Sequence, residues 1–190
     1  HDIPIGPRAR QPDFVILSPR WGVLLLEVKD WRRATLGPAT RDAVELRTPR
    51  GNVTVAHPLR QARDYALELV QLMQGDPALV HGPGPFAGRL LFPYGWGVVL
   101  ATMRSADVAG SDFHELFAPA RTLLRDDLED SVDVASFQRR LWGMFTVSYP
   151  HTLSLPQRDR VRWHLFPEWR VQPQAALDFN APGSDAPALP

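Results

Sequence analysis

Two short apolar blocks set the pattern at the start of the chain. Residues 13–17 and 22–29 each carry a compact apolar run, and Ser18-Pro19-Arg20-Trp21 between them has the composition of a turn. The pair predicts an antiparallel hairpin. Residues 22–26 are nearly all apolar, as in a strand covered on both faces. Weaker strand signals follow at 43–47 and 52–55, on either side of the turn Pro49-Arg50-Gly51. The period then changes. Leu59, Ala62, Ala66, Leu69 and Met73 recur at spacings of three and four, which predicts a helix over 58–74. Pro58 suits its first position and Gly75 the residue after its end. Residues 76–88, rich in Pro and Gly, predict a loop. Strands resume at 89–92, 97–103 and 121–124. Residues 134–145 carry an apolar stripe behind Asp133 as a cap, and 156–166 predict a further helix. Strands, helix, strands, helices is the order of an α/β or α+β domain whose mixed sheet is flanked by helices.

Composition narrows the function classes. A chain of 190 residues with an apolar fraction of 44% fits one domain with a real core. Residues 172–190, rich in Pro and Ala and poor in charge, read as a linker or tail. No apolar run is long enough to span a membrane, and no basic and then apolar leader opens the sequence, so a cytoplasmic protein without a membrane partner is expected. The absence of cysteine excludes disulfides, iron–sulfur clusters and cysteine zinc sites. Six histidines stand at positions 1, 57, 81, 114, 151 and 164, and no two have the H-x-x-x-H spacing of a helical ligand pair. The formal net charge of +0 argues neither for nor against nucleic acid, since a local basic patch suffices for binding. Of the 21 basic residues 20 are arginine, and the single lysine is Lys29.

That lysine lies in Glu27-Val28-Lys29, at the end of the second predicted strand. If Ser18 faces Gly22 across a three-residue tip, positions summing to 40 pair, and Asp13 falls opposite Glu27 on one side of the sheet. Two facing carboxylates repel, and a divalent cation with oxygen ligands relieves the repulsion. Lys29, two residues beyond Glu27, points to the same face. The set suits phosphodiester hydrolysis: a metal-bound water of lowered pKa, a polarised phosphoryl oxygen, and an ammonium to orient the water or stabilise transition-state charge. Taken alone, D-x(13)-E-x-K is a common pattern, and charged residues at strand ends are also found as solvated edge groups. On the helix, Gln61 and Tyr65 are i and i+4 and share a face beside the apolar stripe. As a pair they fit a half-buried polar flank as well as a substrate contact.

Together these segments resemble the PD-(D/E)XK nuclease superfamily, and within it the nuclease-related domain, NERD. The similarity rests on Gln11-Pro12-Asp13-Phe14-Val15-Ile16-Leu17, on Gly22-Val23-Leu24-Leu25-Leu26-Glu27-Val28-Lys29-Asp30-Trp31, and on Pro58-Leu59-Arg60-Gln61-Ala62-Arg63-Asp64-Tyr65 with its Q-x-x-x-Y pattern. Gly95-Trp96-Gly97-Val98-Val99-Leu100 resembles the strand that follows. Residues 155–170 resemble the end of the domain where it precedes a superfamily 1 DNA helicase. The resemblance covers residues 1–170, leaving 171–190 as tail. It implies a restriction-endonuclease-like α-β-β-β-α-β core, Mg²⁺ or Mn²⁺ as cofactor, and DNA as substrate. It further implies Asp13 and Glu27 as metal ligands, Lys29 as the catalytic lysine, and Gln61 and Tyr65 as supporting or substrate-binding residues. Family members usually begin with a helix whose glutamate joins the site, and the expectation is that this helix is missing here. No G-x-x-x-x-G-K-[ST] motif occurs, so a fused helicase is expected only as a neighbour.

Two functions compete on this basis. One is a metal-dependent DNA nuclease working in DNA processing or repair. The other is a non-catalytic DNA-binding or partner-binding module that retains the nuclease fold. Arg32, Arg33, Arg41, Arg60 and Arg63 lie near the motif in sequence and fit phosphate contacts under either, or a solvated surface. Trp21 and Trp31, flanking the hairpin, fit base stacking or edge packing. A serine or cysteine hydrolase is disfavoured by the absence of both G-x-S-x-G and cysteine.

Overall fold

A computed structural model describes residues 12–147 and 149–166. Apart from Pro12, the expected N-terminal stretch lies outside the described residues, as do the boundary at 170 and the tail.

The hairpin forms as the pattern predicts. Strand β1 spans Phe14–Ser18 and β2 spans Gly22–Lys29, and their partners run from Phe14↔Leu26 to Ser18↔Gly22, the register in which positions sum to 40. Strand β2 is central and buried on both faces. Val23 and Leu25 join the cluster under helix α1 (Pro58–Gln74), whereas Leu24 and Leu26 pack with Leu141 and Met144 near helix α4 (Val134–Trp142). The sheet has the order β1-β2-β6-β7, with β6 over Tyr94–Leu100 and β7 over Thr122–Leu124. Strand β1 is antiparallel to β2, while β2, β6 and β7 are parallel. A mixed sheet flanked by helices is therefore present.

Between β2 and α1 lie β3 (Leu36–Ala39), β4 (Ala43–Thr48) and β5 (Gly51–Ala56). They form an antiparallel sheet of their own. None of these three strands pairs with β1, β2, β6 or β7. Val44 and Leu36 bury instead against Val98, Leu100, Val108, Phe113 and Phe117.

Helix α1 has the expected span. Its N-cap is His57, whose side chain accepts from the Leu59 N–H, and Gly75 closes it. Ala62, Ala66, Leu69 and Met73 are fully buried as the stripe predicts, and Tyr65 and Val70 widen it. Full burial of a side chain such as Leu69 contributes about 1.5–3 kcal/mol. Helix α4 starts at Asp133, which accepts from the Ser136 N–H, and α5 (Leu155–Leu165) starts at a Ser154 capping box.

Two strand expectations are corrected. Residues 89–92 form only a single bridge, Leu90↔Val80; their apolar pattern arises because Leu90 and Phe92 plug the core beside Leu79. Strand β6 spans Tyr94–Leu100, not the expected 97–103. Gly95 and Gly97 belong to the strand because α4 ends against them: an added Cβ would lie 2.7 Å from Met144 O at Gly95 and 2.3 Å from Met144 Sδ at Gly97. Short helices α2 (Ser105–Val108) and α3 (Phe113–Leu116) went unsignalled, since four residues carry no period.

Helix α5 docks on α1 through Val161 and Leu165 and through a buried carboxylate, Asp76. Asp76 accepts from Arg160 Nε at 2.7 Å and from the Ala78 N–H at 3.0 Å, and His164 Nε2 lies 2.9 Å away. The Arg160 guanidinium, helped by His164 and the Ala78 amide, holds this carboxyl well below the usual carboxylate range. A depressed folded pKa stabilises the fold above the unfolded pKa, and that contribution is lost as pH falls towards the folded value. Asp76→Asn is expected to cost about 2 kcal/mol at neutral pH. Urea unfolding should show a smaller gap between variant and wild type at pH 3 than at pH 7, the unfolded carboxyl titrating near pH 3.9. A gap of equal size at both values would refute this assignment.

Candidate active site

Side chains of β2 alternate, so Glu27 and Lys29 lie on the face of Val23 and Leu25, the α1 side. Glu27 is the only buried carboxylate on a described strand, with 4% of its surface exposed. Its Oε1 accepts from Lys29 Nζ at 2.5 Å, an ion pair along the strand between positions i and i+2. Its Oε2 is buried and has no hydrogen-bond partner among the described residues. Burial pushes the Glu27 carboxyl up, the Lys29 ammonium pulls it down, and the negative charge of Asp13 adds to the rise.

Asp13 stands one residue before β1, outside the ladder, so it does not face Glu27 as a cross-strand pair. Its carboxylate instead turns to the partner strand, where Oδ2 accepts from the Val28 N–H at 2.7 Å. The expected proximity arises by a different contact, one that aims the carboxylate at the Glu27-Val28 peptide and leaves Asp13 exposed.

Helix α1 runs antiparallel to β2 on this face. Leu59 packs beside Val98 and Leu100, the partners of Glu27 and Lys29, while Tyr65 packs beside Val23 and Leu25. Gln61 falls between these two anchors, half-buried, and its Nε2 donates to Tyr65 Oη at 3.4 Å. The structure thus brings Glu27, Lys29 and Asp13 into contact with one another or with adjoining backbone, and it places Gln61 and Tyr65 on the same side of the sheet.

Residues 1–93 match the family model of the nuclease-related domain, NERD. Over those residues, just under half of the chain, it is similar to a nuclease-related domain. The match takes in β1 to α1 and hence all five side chains above. Comparisons with curated proteins and with solved structures gave no match.

Within the NERD segment the donor set can be tested against a divalent cation. Among the described residues no three or more His, Asp or Glu side chains gather for a metal. Asp13 lies near enough to Glu27 for its charge to act on that carboxyl, and two carboxylates are compatible with Mg²⁺, which keeps several waters and takes further oxygens from substrate phosphates. The orphaned Oε2 of Glu27 is the positive sign, because a buried acceptor left unpaired costs about 1–3 kcal/mol and calls for a partner.

Both tryptophans that flank the hairpin have packing partners. Trp21 stacks on Trp142 with centroids 5.0 Å apart, and Trp31 packs against the β3–β5 core. Sequence reasoning missed His57, which carries the start of α1 and packs at a tilt against Phe117 with ring centroids 4.5 Å apart. A histidine directly before a helix-starting proline was the available signal. No helix among the described residues is long and apolar enough to cross a membrane.

Proposed function

We propose that this chain is a divalent-metal-dependent nuclease that hydrolyses DNA phosphodiester bonds, with Asp13 and Glu27 as metal ligands and Lys29 as the catalytic lysine. The observation that carries the reading is the buried Glu27, with one oxygen on Lys29 and the other without a partner among the described residues, inside the NERD match. Bound Mg²⁺ or Mn²⁺ would supply Lewis acidity at a phosphoryl oxygen and a water of lowered pKa. The chain's own residues do the rest. The Val28 amide fixes Asp13, and β2 fixes Glu27 and Lys29 on one face at i and i+2. Lys29, held by Glu27 Oε1 on the same face, would offset charge that builds up on the phosphate as water adds to phosphorus and an ester P–O bond breaks. Gln61 and Tyr65 support the site from α1. We place the chain, in this reading, in a DNA-processing protein associated with a superfamily 1 helicase.

The test is cleavage of linear, circular and single-stranded DNA with Mg²⁺ or Mn²⁺, with and without chelator. Cutting that needs metal and disappears in Glu27→Gln supports the proposal. A folded chain that cuts none of the three substrates refutes it. A second reading, a non-catalytic module with the nuclease fold, is favoured by one feature: among the described residues no three or more His, Asp or Glu side chains gather for a metal.

A further inference from the structure

The zero net charge of the chain hides a strong segregation. Residues 32–63 hold seven arginines and two carboxylates, a net charge of +5 within a chain of net zero. Residues 107–133 hold eight carboxylates and two arginines, a net charge of −6. The basic segment is the separate sheet β3–β5 with its flanks, and the acidic one packs on its inner face through Val108, Phe113 and Phe117 against Leu36 and Val44. Positive charge therefore collects on the outer side and the tip of the sheet.

We propose that the sheet β3–β5 is an arm that grips the phosphate backbone of duplex DNA beside the candidate active site. This rests on the nuclease reading for its substrate, and it adds the surface that holds that substrate and the duplex form preferred. Arg32 and Arg33 stand at the root of the arm, where the chain leaves Lys29; Arg41 precedes β4; Arg47 lies on β4; Arg50 is at the tip. All five are exposed, and none forms an ion pair among the described residues. Arg60 and Arg63, by contrast, are tied to Asp42 and Asp64. The arm's outer face presents Arg47 beside Asn52 and Glu45 beside Thr54, and Asn52 donates to Glu45, so the one carboxylate there is engaged. Strand β4 is on the order of 17 Å long, which matches about five base pairs of duplex rise.

Chemistry selects the duplex. Single strands are held by aromatic stacking as well as charge. Residues 32–63 contain no Phe, Tyr or Trp. The arm offers guanidinium groups and small polar side chains only, the means of contacting phosphates rather than bases. The root of the arm adjoins the site directly: the His57 N–H donates to Asp42 O, and Gln61 lies one turn further along α1.

The experiment is binding of a labelled duplex of about 20 base pairs, and of its single strand, by the full chain in chelator across a salt series. It compares wild type, Arg41→Gln/Arg47→Gln/Arg50→Gln, and a control, Arg89→Gln/Arg162→Gln, whose positions are exposed and off the arm. Each lost phosphate contact lowers the slope of log affinity against log salt by about 0.9, so the triple variant should lose about 2–3 in slope and at least tenfold in duplex affinity at moderate salt. The control should keep the wild-type slope, and wild type should bind the duplex more tightly than the single strand. An unchanged slope in the triple variant, an equal loss in the control, or tighter binding of the single strand would each overturn the proposal. Failure of the nuclease reading looks different: no metal-dependent cutting, yet a duplex-binding slope that still depends on the arm. Cutting that depends on Glu27, with a triple variant unchanged in slope and KM, would remove the arm and leave the nuclease.

Discussion

Lys29→Ala and Glu27→Gln are each expected to lower the rate of metal-dependent DNA cleavage by a factor of about 10²–10³ or more, while the fold survives. The magnitude is that of removing one preorganised charge-stabilising group from an active site. Glu27→Gln keeps shape and hydrogen bonding to Lys29 but removes the anionic oxygen that would face the cation. Lys29→Ala removes the ammonium and leaves the buried Glu27 carboxylate without its ion pair, which pushes its pKa further up. Lys29→Arg should not restore activity. A planar guanidinium is larger than the point-like ammonium seated at 2.5 Å from Oε1 in a partly buried niche. Initial rates on a linear duplex, with circular dichroism as the check on folding, decide the matter. A variant that retains a tenth or more of the wild-type rate would take Lys29 or Glu27 out of the catalytic machinery.

Gly22→Ala is expected to destabilise the protein by about 3–4 kcal/mol. Two costs add. Gly22 has φ of +90°, where an L side chain is strained by about 1–3 kcal/mol. Its Cβ would also sit 1.9 Å from Pro93 O, so the backbone of β2 or the turn before β6 must shift. That turn is anchored by the bond from the Val23 N–H to Pro93 O at 3.1 Å, at the point where β2 and β6 begin to pair. The damage therefore falls on the central strand that carries Glu27 and Lys29. Thermal unfolding should show a loss of about 10 °C at a size of 150–250 residues. A change under about 2 °C would mean that the tip accommodates a methyl group and that the close approach is not rigid.

Much of the architecture follows from local patterning. The limits of β2 and α1 were legible because Gly22, Pro58 and Gly75 punctuate runs whose period differs on either side. The hairpin register was legible too, since a three-residue tip leaves one pairing that puts Val23 and Leu25 under one helix and Leu24 and Leu26 under another. The identity of the candidate site follows from the same source: a carboxylate and the chain's one lysine at i and i+2 on a strand share a face by pleat geometry alone.

Other features depend on contacts between distant segments, which periodicity does not encode. Residues 89–92 read as a strand because Leu90-Leu91-Phe92 is an apolar run, yet such a run records burial and not the hydrogen-bonding partner, and here the burial comes from plugging the core. Nothing local explains why Gly95 and Gly97 stand in β6 until α4 is seen to end against them. Asp13 was placed on a ladder that stops at Phe14, and what holds it near Glu27 is one hydrogen bond to the Val28 amide, fifteen residues away. Strands β3–β5 were visible in part, but their separation into a second sheet was decided by the long-range cluster around Val44, Phe113 and Phe117. By itself the sequence determined the hairpin, the span of α1 and the candidate pair Glu27 and Lys29, because these depend on local pattern and punctuation. The tertiary structure alone decided which sheet each strand joined, how Asp13 reaches the site and where the charge collects, because these depend on which buried faces of remote segments fit together.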